Sequence, residues 1–151
     1  MDLLSLANEE LKRGIDEQTA RYSARQVIIG LVSAASIAAV AQMFATGVGE
    51  TWIRWVVWAI CGTSLMASTV VWTRFQSYDV DPAVRLAEAT SKGWTDIELI
   101  EELVVRRLAA YEENERQLAD PWNIGVYTLA VGAGLFSALC ALALAVGVTA
   151  P

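Results

Sequence analysis

The side chains best able to do chemistry in this sequence are carboxylates, and most of them lie in one charged stretch, residues 74–120. The glutamates of its second half are Glu98, Glu101, Glu102, Glu112, Glu113 and Glu115. Two carboxylates can act as general acid and base when a cleft gives them different environments. This stretch is too short to build such a cleft easily, and acids on the wet face of a helix usually only solvate it. We therefore predict no catalytic site and a protein that is not an enzyme.

Ligands for metals and cofactors are also scarce. The chain has no histidine, and its two cysteines, Cys61 and Cys140, both lie within apolar stretches. Isolated cysteines without histidine form neither a zinc nor a haem motif. The Gly-x-x-x-x-Gly-Lys sequence of a phosphate-binding loop does not occur either. The sequence predicts no metal and no cofactor.

Hydroxyl side chains inside the apolar stretches are the remaining polar groups of interest. The candidates for a pore lining among them are Ser33, Ser36, Thr63, Ser64, Ser68 and Ser137. In an oligomer they could line a pore. The favoured interpretation is that each hydroxyl bonds to a carbonyl of its own helix, as Ser and Thr commonly do.

The apolar stretches cover residues 26–46, 52–73 and 121–148, and Arg54 is the only charged residue inside them. Each has about the 20 residues that a helix needs to cross a membrane. The predicted fold is therefore all-α: a polytopic membrane protein with three transmembrane helices and amphipathic cytoplasmic helices. So few ionisable groups within the spans argue against a transporter.

Aromatic and basic residues near the ends of these spans indicate where the bilayer surfaces lie. Tryptophan favours the interface, and an arginine near a helix end can extend its side chain to the headgroups. The predicted interface anchors are Trp52, Arg54, Trp55, Trp72 and Trp122. Trp58 lies deeper, so we expect it to pack inside the helix bundle.

Small residues recur every four positions in all three spans. Such stripes let helix backbones approach closely in lipid. The candidate helix-packing residues are Gly30, Ala34 and Ala38 in the first span, Ala59, Thr63 and Ala67 in the second, and Ala130, Gly134 and Ala138 in the third. They predict a packed bundle and a homo-oligomer.

The distribution of Lys and Arg sets the expected topology. Residues 1–25 contain four of them and residues 74–120 contain six, whereas the connection between the first two spans is flanked only by Arg54. We expect a cytoplasmic N-terminus, a cytoplasmic segment 74–120, and an external tail, residues 149–151. The predicted location is the plasma membrane.

The cytoplasmic segments carry helix signals. In residues 1–25, an amphipathic leader helix is predicted from Leu4, Leu11, Ile15 and Tyr22 at near-helical spacing. In 74–120, Asp81 and Pro82 are suited to start a helix that Gly93 ends. Thr95 and Glu98 have the spacing of a capping box.

The helix that follows Thr95 is predicted to run to about Ala119, with Pro121 opening the third span. Its candidate partner or regulatory face consists of Ile97, Ile100, Val104, Leu108 and Tyr111. Glu102 with Arg106, and Glu112 with Arg116, have the favoured order for ion pairs four residues apart. Segment 74–120 has eleven acidic and six basic residues, which argues against nucleic-acid binding.

The order of leader helix, transmembrane hairpin, cytoplasmic helices and third span resembles Pycsar transmembrane effectors and the related SLATT-type proteins of antiphage defence. The stretch DIELIEELVVRRLAAYEENERQLADPW, residues 96–122, carries the resemblance. It implies that a cyclic nucleotide acts on the cytoplasmic helices and that the oligomerised bundle permeabilises the membrane. It transfers no binding residues.

Three functions remain open from the sequence. The first is a membrane-permeabilising protein controlled by its cytoplasmic helices, through a cyclic nucleotide or a protein partner. The second is a structural or scaffolding membrane protein, such as a virion envelope component or an accessory subunit. The third is a holin-like lysis protein, as the size and number of spans suggest.

Overall fold

The chain folds into five α-helices. The computed structural model describes residues 3–47, 49–74 and 77–147. In chain order the helices are α1 (Leu3–Thr46), α2 (Thr51–Arg74), α3 (Pro82–Lys92), α4 (Asp96–Ala119) and α5 (Pro121–Gly147). No strand occurs within these ranges, so the all-α prediction is confirmed for them.

Three of these helices, α1, α2 and α5, are long and apolar enough to cross a membrane. They contain the predicted stretches 26–46 and 52–73 and residues 121–147 of the third, and α2 extends the predicted 52–73 by one residue at each end. Val148, the last residue of the third stretch, lies outside the described residues. The 27 residues of α5 give it a length of about 40 Å. The predicted tail, residues 149–151, lies outside the described residues.

Helix α1 joins two predicted segments. The leader, residues 1–25, and the first span, 26–46, were expected to be separate elements, yet α1 continues through both for 44 residues. No glycine or proline occurs from Ile15 to Ile29 to interrupt its backbone hydrogen bonds.

The chain divides into two compact units, and α1 contributes to both. The charged unit consists of Met1–Ser23 and Gln76–Asp120, and the apolar unit of Ala24–Phe75 and Pro121–Pro151. Within the apolar unit, a core cluster contains Val40, Met43, Val57, Cys61 and Ala141.

Local capping chemistry sets the ends of α3. The Asp81 carboxylate accepts a hydrogen bond from the Ala83 amide at 2.9 Å, and Pro82 takes the first helical position, where no amide proton is needed. Gly93 ends α3 with φ +68°, a left-handed conformation that favours glycine. The predicted start and stop signals of this helix are confirmed.

The predicted capping box at the start of α4 is also present. The Glu98 amide donates to the Thr95 hydroxyl at 3.3 Å, and the Thr95 amide donates to the Glu98 carboxylate at 2.7 Å. This backbone hydrogen bond, followed by one from the Thr95 hydroxyl, lowers the pKa of Glu98 from its usual value. The stabilisation that the Glu98 carboxylate gives to the cap is present at neutral pH and is lost as the pH falls through the lowered pKa of Glu98.

One of the two predicted ion pairs on α4 is correct. Arg106 pairs with Glu102 at 2.6 Å. Arg116 instead pairs with Glu113, so the predicted pairing with Glu112 is wrong. Glu113 precedes Arg116 by three residues. Nε and Nη2 of Arg116 donate hydrogen bonds to the two Glu113 carboxylate oxygens, at 3.0 and 2.8 Å, which gives a forked contact.

Candidate functional site

The apolar unit contains hydroxyl groups that bond across helices. The Ser64 Oγ of α2 donates to the Ala130 carbonyl of α5 at 2.6 Å. The Ser36 Oγ of α1 donates to the Gly134 carbonyl of α5 at 3.0 Å and contacts the Ser137 hydroxyl. Ser36, Ser64 and Ser137 are at most 1% exposed. These three buried hydroxyls therefore connect α1 and α2 to α5.

The favoured interpretation, that the hydroxyls bond to their own helices, is only partly correct. Thr63 donates to the Ala59 carbonyl one turn back on α2, as expected. The Ser68 hydroxyl likewise donates to the Ser64 carbonyl of α2 at 2.7 Å, but it also lies 3.2 Å from the Ser33 hydroxyl of α1. Where small residues bring two helices close together, the carbonyls and hydroxyls of the neighbouring helix come within reach of these side chains.

Among the glycines of this unit for which the surroundings are described, Gly134 has the least space for a side chain. A Cβ atom at Gly134 would lie 2.5 Å from Val32 Cγ1 and 2.8 Å from Ser64 Oγ. Ala130 and Ala138, one turn away on either side, are buried as well. The whole small-residue stripe of the third span thus lies in the helix contact of the apolar unit.

The stripes of the other two spans are oriented differently. Gly30, Ala34 and Ala38 are all exposed on α1, and a Cβ atom at Gly30 would meet nothing within 4 Å. On α2, Ala59 and Thr63 are exposed, whereas Ala67 is buried. Among the described residues, the α1 stripe makes no close helix contact of the kind that Gly134 makes.

We expect Ser64→Ala to destabilise the apolar unit by about 1 kcal/mol, within the range measured for single hydrogen bonds between membrane helices. Thr63→Ala is the matched control, because the neighbouring Thr63 hydroxyl bonds to the Ala59 carbonyl of its own helix α2. The measurement is unfolding by SDS in mixed micelles, followed by circular dichroism. Equal effects of the two substitutions would contradict a role for the bond between helices.

The predicted interface anchors are exposed or half-buried. Trp52, Trp55, Trp72 and Trp122 are each more than half exposed, and Arg54 is half-buried. Trp58 is 54% exposed, so its expected position inside the bundle is wrong. The buried residues of α2 are Val57, Cys61, Ser64, Ala67, Ser68 and Val71. They share one side of the helix, and the register of α2 places Trp58 outside that side.

Asn114 is the most completely buried polar residue of the charged unit, with 0% exposure. Its Oδ1 accepts a hydrogen bond from the Tyr78 amide at 2.9 Å, and its Nδ2 donates to the Tyr78 carbonyl at 3.0 Å. The Asn114 carbonyl accepts from the Tyr22 hydroxyl at 3.0 Å. Asn114 therefore joins α4 both to α1 and to the segment that precedes α3.

Gln18 makes a second buried polar contact between α1 and α4. Its Nε2 donates to the Tyr111 carbonyl at 3.2 Å and to Glu115 Oε1 at 3.0 Å. Nearby, a Cβ atom at Gly14 would lie 2.8 Å from Tyr111 Cε2, so glycine lets the ring pack against α1. The close contact and the hydrogen bonds together fix the register of the two helices.

Arg107 is a buried cation, 6% exposed, that donates from Nη1 to the Asn8 carboxamide. Its Nε has no hydrogen-bond acceptor, and no ion pair to Arg107 occurs in the described ranges. The sequence analysis missed Asn8, Gln18, Arg107 and Asn114. A signal existed, because Asn8 and Gln18 continue the spacing of three and four residues that defines the apolar side of the leader.

The predicted apolar face of α4 is only partly covered. Ile97 and Leu108 are 59% and 45% exposed, and Ile100, Val104 and Tyr111 are half-buried. The buried residues of α4 are Arg107, Asn114 and Leu118. Polar contacts with α1 thus rotate the packed side of α4 away from the face predicted by hydrophobicity alone.

A cavity of about 410 Å³ opens beside α3 and α4 in the charged unit. Its lining includes Tyr78, Asp81, Arg85, Arg106 and Glu113. Both arginines already pair within their own helices, Arg85 with Glu88 and Arg106 with Glu102. The cavity therefore combines an aromatic ring with charged groups that are partly neutralised.

Among the residues described, no group of three or more Asp, Glu or Cys side chains converges as metal ligands would. The candidate functional features are therefore two separate sets of buried polar contacts, one in each unit, and an uncovered stripe of small residues on α1. In comparisons with known protein families, curated proteins and solved structures, no family model, protein sequence or structure matches this chain.

Proposed function

We propose that this protein assembles into homo-oligomers within the plasma membrane and permeabilises it, under the control of its charged unit on the cytoplasmic side. The observation that carries this proposal is the exposed stripe of Gly30, Ala34 and Ala38 on α1. It lies in a helix long and apolar enough to span the bilayer. The proposed topology has a cytoplasmic N-terminus and an external C-terminus.

The physical argument concerns what stabilises helix contacts in lipid. Association there depends on close packing and hydrogen bonds, because lipid tails are as apolar as leucine. The stripe of α5 is already covered by α1 and α2, as the contacts of Gly134 demonstrate. The α1 stripe is free for a second copy of the chain, and pairing through it would bring two backbones close together.

Control by the charged unit follows from the continuity of α1. The hydrogen bonds of Gln18 and Tyr22 hold the first part of α1 against α4. A ligand that changes this packing acts on a helix that also belongs to the apolar unit. The cavity beside α3 and α4 has a volume suited to a small molecule, and a cyclic nucleotide or a protein segment is the proposed ligand.

Crosslinking tests the oligomer. We expect Ala34→Cys to form disulfide-linked dimers in membranes under mild oxidation. Leu135→Cys is the control, because Leu135 is also exposed and lies next to Gly134, whose carbonyl meets Ser36 on α1 at a similar depth. The wild-type chain controls for Cys61 and Cys140. Equal crosslinking at positions 34 and 135 would contradict assembly through the α1 stripe.

Membrane leakage tests the activity. Induced expression in cells that carry a membrane-potential dye is expected to depolarise them, and Ala34→Leu is expected to abolish depolarisation by obstructing the stripe. Leu135→Ile should leave it unchanged. If the wild-type protein causes no depolarisation, with or without added cyclic nucleotides, the proposed permeabilisation is wrong.

A scaffolding role is the second candidate, and one observation favours it. Ile97, Val105 and Leu108 are 59%, 63% and 45% exposed on α4, which leaves apolar surface uncovered in the charged unit. Such a helix face can dock a partner. Purification of a stoichiometric partner that is lost on Val105→Glu, without any membrane leak, would favour scaffolding over permeabilisation.

A further inference from the structure

We infer that the α1–α2 hairpin binds one anionic phospholipid, with its phosphate at Arg54 and an acyl chain in the groove below. The groove lies in the apolar unit between α1 and α2 and has a volume of about 370 Å³. Its lining is almost wholly apolar and includes Val40, Phe44, Trp58, Cys61, Gly62 and Leu65.

The register of α2 aligns Arg54 with this groove. Trp58 follows Arg54 by four residues, and Gly62 and Leu65 follow by eight and eleven, so all four lie on one side of the helix. From Trp58 to Leu65 the groove extends about 10 Å along α2, and Arg54 lies about 6 Å nearer the hairpin turn. A charged group at one end and an apolar channel below it match the two parts of a phospholipid.

In the described part of the chain, the Arg54 guanidinium has N–H donors without an acceptor. Its one hydrogen bond in the described part of the chain runs from Nη2 to Thr51 Oγ1 at 3.3 Å, and its Nε has no acceptor. No carboxylate of the described ranges lies within ion-pairing distance of it. Glu50, the acid nearest in sequence, instead accepts a hydrogen bond from the Trp52 indole. An anionic phosphate would supply the missing acceptor.

The surrounding aromatic rings favour a lipid over a second protein helix. Phe44, Trp55 and Trp58 form a row with ring centroids 5.9 and 5.8 Å apart, and both tryptophans are more than half exposed. Trp55, next to Arg54, is placed to mark the headgroup level of a bilayer, and Trp58 lies about one turn deeper, at the top of the groove. The occupant is therefore a lipid of the leaflet that the hairpin turn faces.

Native mass spectrometry tests this site. The protein, extracted from vesicles with equal amounts of phosphatidylglycerol and phosphatidylcholine, should retain one lipid per chain, with about a fivefold preference for phosphatidylglycerol. Arg54→Gln should bring this preference close to one. Arg74→Gln, at the other end of α2, should leave it unchanged. Equal effects of the two substitutions would overturn the assignment of the phosphate to Arg54.

Gly62→Leu tests the acyl chain separately. A Cβ atom at Gly62 meets nothing within 4 Å, so leucine should enter the groove without disturbing the helices. It should abolish the binding of phosphatidylglycerol and of phosphatidylcholine alike. Gly132→Leu is the control, because Gly132 is exposed on α5 with the same open space around it. Retention of lipid by Gly62→Leu would overturn the groove as the binding site. The groove would also be ruled out as a lipid site if the wild-type protein were a lipid-free dimer that Gly62→Leu disrupts.

Discussion

Gly134→Leu is expected to lower the free energy of unfolding of the apolar unit by about 3 kcal/mol, the upper end for adding side-chain volume to a packed core. Already the Cβ atom would lie 2.5 Å from Val32 Cγ1. Valine is stiff at χ1, so Val32 cannot rotate away freely. The added side chain should also separate Ser64 Oγ from the Ala130 carbonyl. The measurement is SDS unfolding in mixed micelles.

Gly132→Leu is the control for this substitution. It makes the same chemical change two residues away in α5, where a Cβ atom meets nothing within 4 Å. Leucine has the higher helix propensity, so we expect no loss of stability at this position. If the two variants unfold at the same SDS fraction, Gly134 is not in the close helix contact that the structure describes.

Asn114→Ala is expected to destabilise the charged unit by about 2 to 3 kcal/mol, because the substitution removes two hydrogen bonds and leaves the Tyr78 amide and carbonyl without partners. Asn114 is fully buried, so it also leaves a small cavity. The specific readout is hydrogen exchange of the full chain in nanodiscs. Protection of the Tyr78 amide should be lost, because Asn114 Oδ1 is its acceptor.

Glu112→Ala serves as the comparison. Glu112 is exposed on the same helix and does not pair with Arg116, so this variant should exchange like the wild type. A Tyr78 amide that stays protected in Asn114→Ala would show that the segment before α3 is held by other contacts. If Asn114→Ala also changes the depolarisation measured in cells, that result would connect the charged unit to the proposed permeabilisation.

Helix ends were the most predictable part of the fold. Asp81 with Pro82, Gly93, and Thr95 with Glu98 each act through hydrogen bonds or backbone preferences that span four residues or fewer. Such local effects can be read from the sequence, since they require no knowledge of the rest of the chain. The three apolar stretches were predictable for a similar reason, because their length and composition alone suit them to lipid.

The polar contacts of the candidate site were far less predictable. Ser36 and Gly134 are separated by 98 positions, and Gln18 and Glu115 by 97. The sequence indicated that the serines of the apolar stretches would bond to their own helices, but Ser36 and Ser64 bond to α5 instead. It did not reveal that the buried side of α4 would include Arg107 and Asn114. Hydrogen-bond partners this far apart depend on how each helix is rotated about its axis.

The sequence by itself determined where α3 and α4 begin and end and which segments suit a membrane, because capping and hydropathy act over a few residues. Only the tertiary structure decided how the equivalent stripes are used: Gly134 is buried against α1 and α2, whereas Gly30, Ala34 and Ala38 on α1 stay uncovered. A stripe of small residues permits close packing but does not select the neighbour. That selection depends on the sum of contacts between distant segments, and it leaves α1 with the free surface on which the proposed oligomer depends.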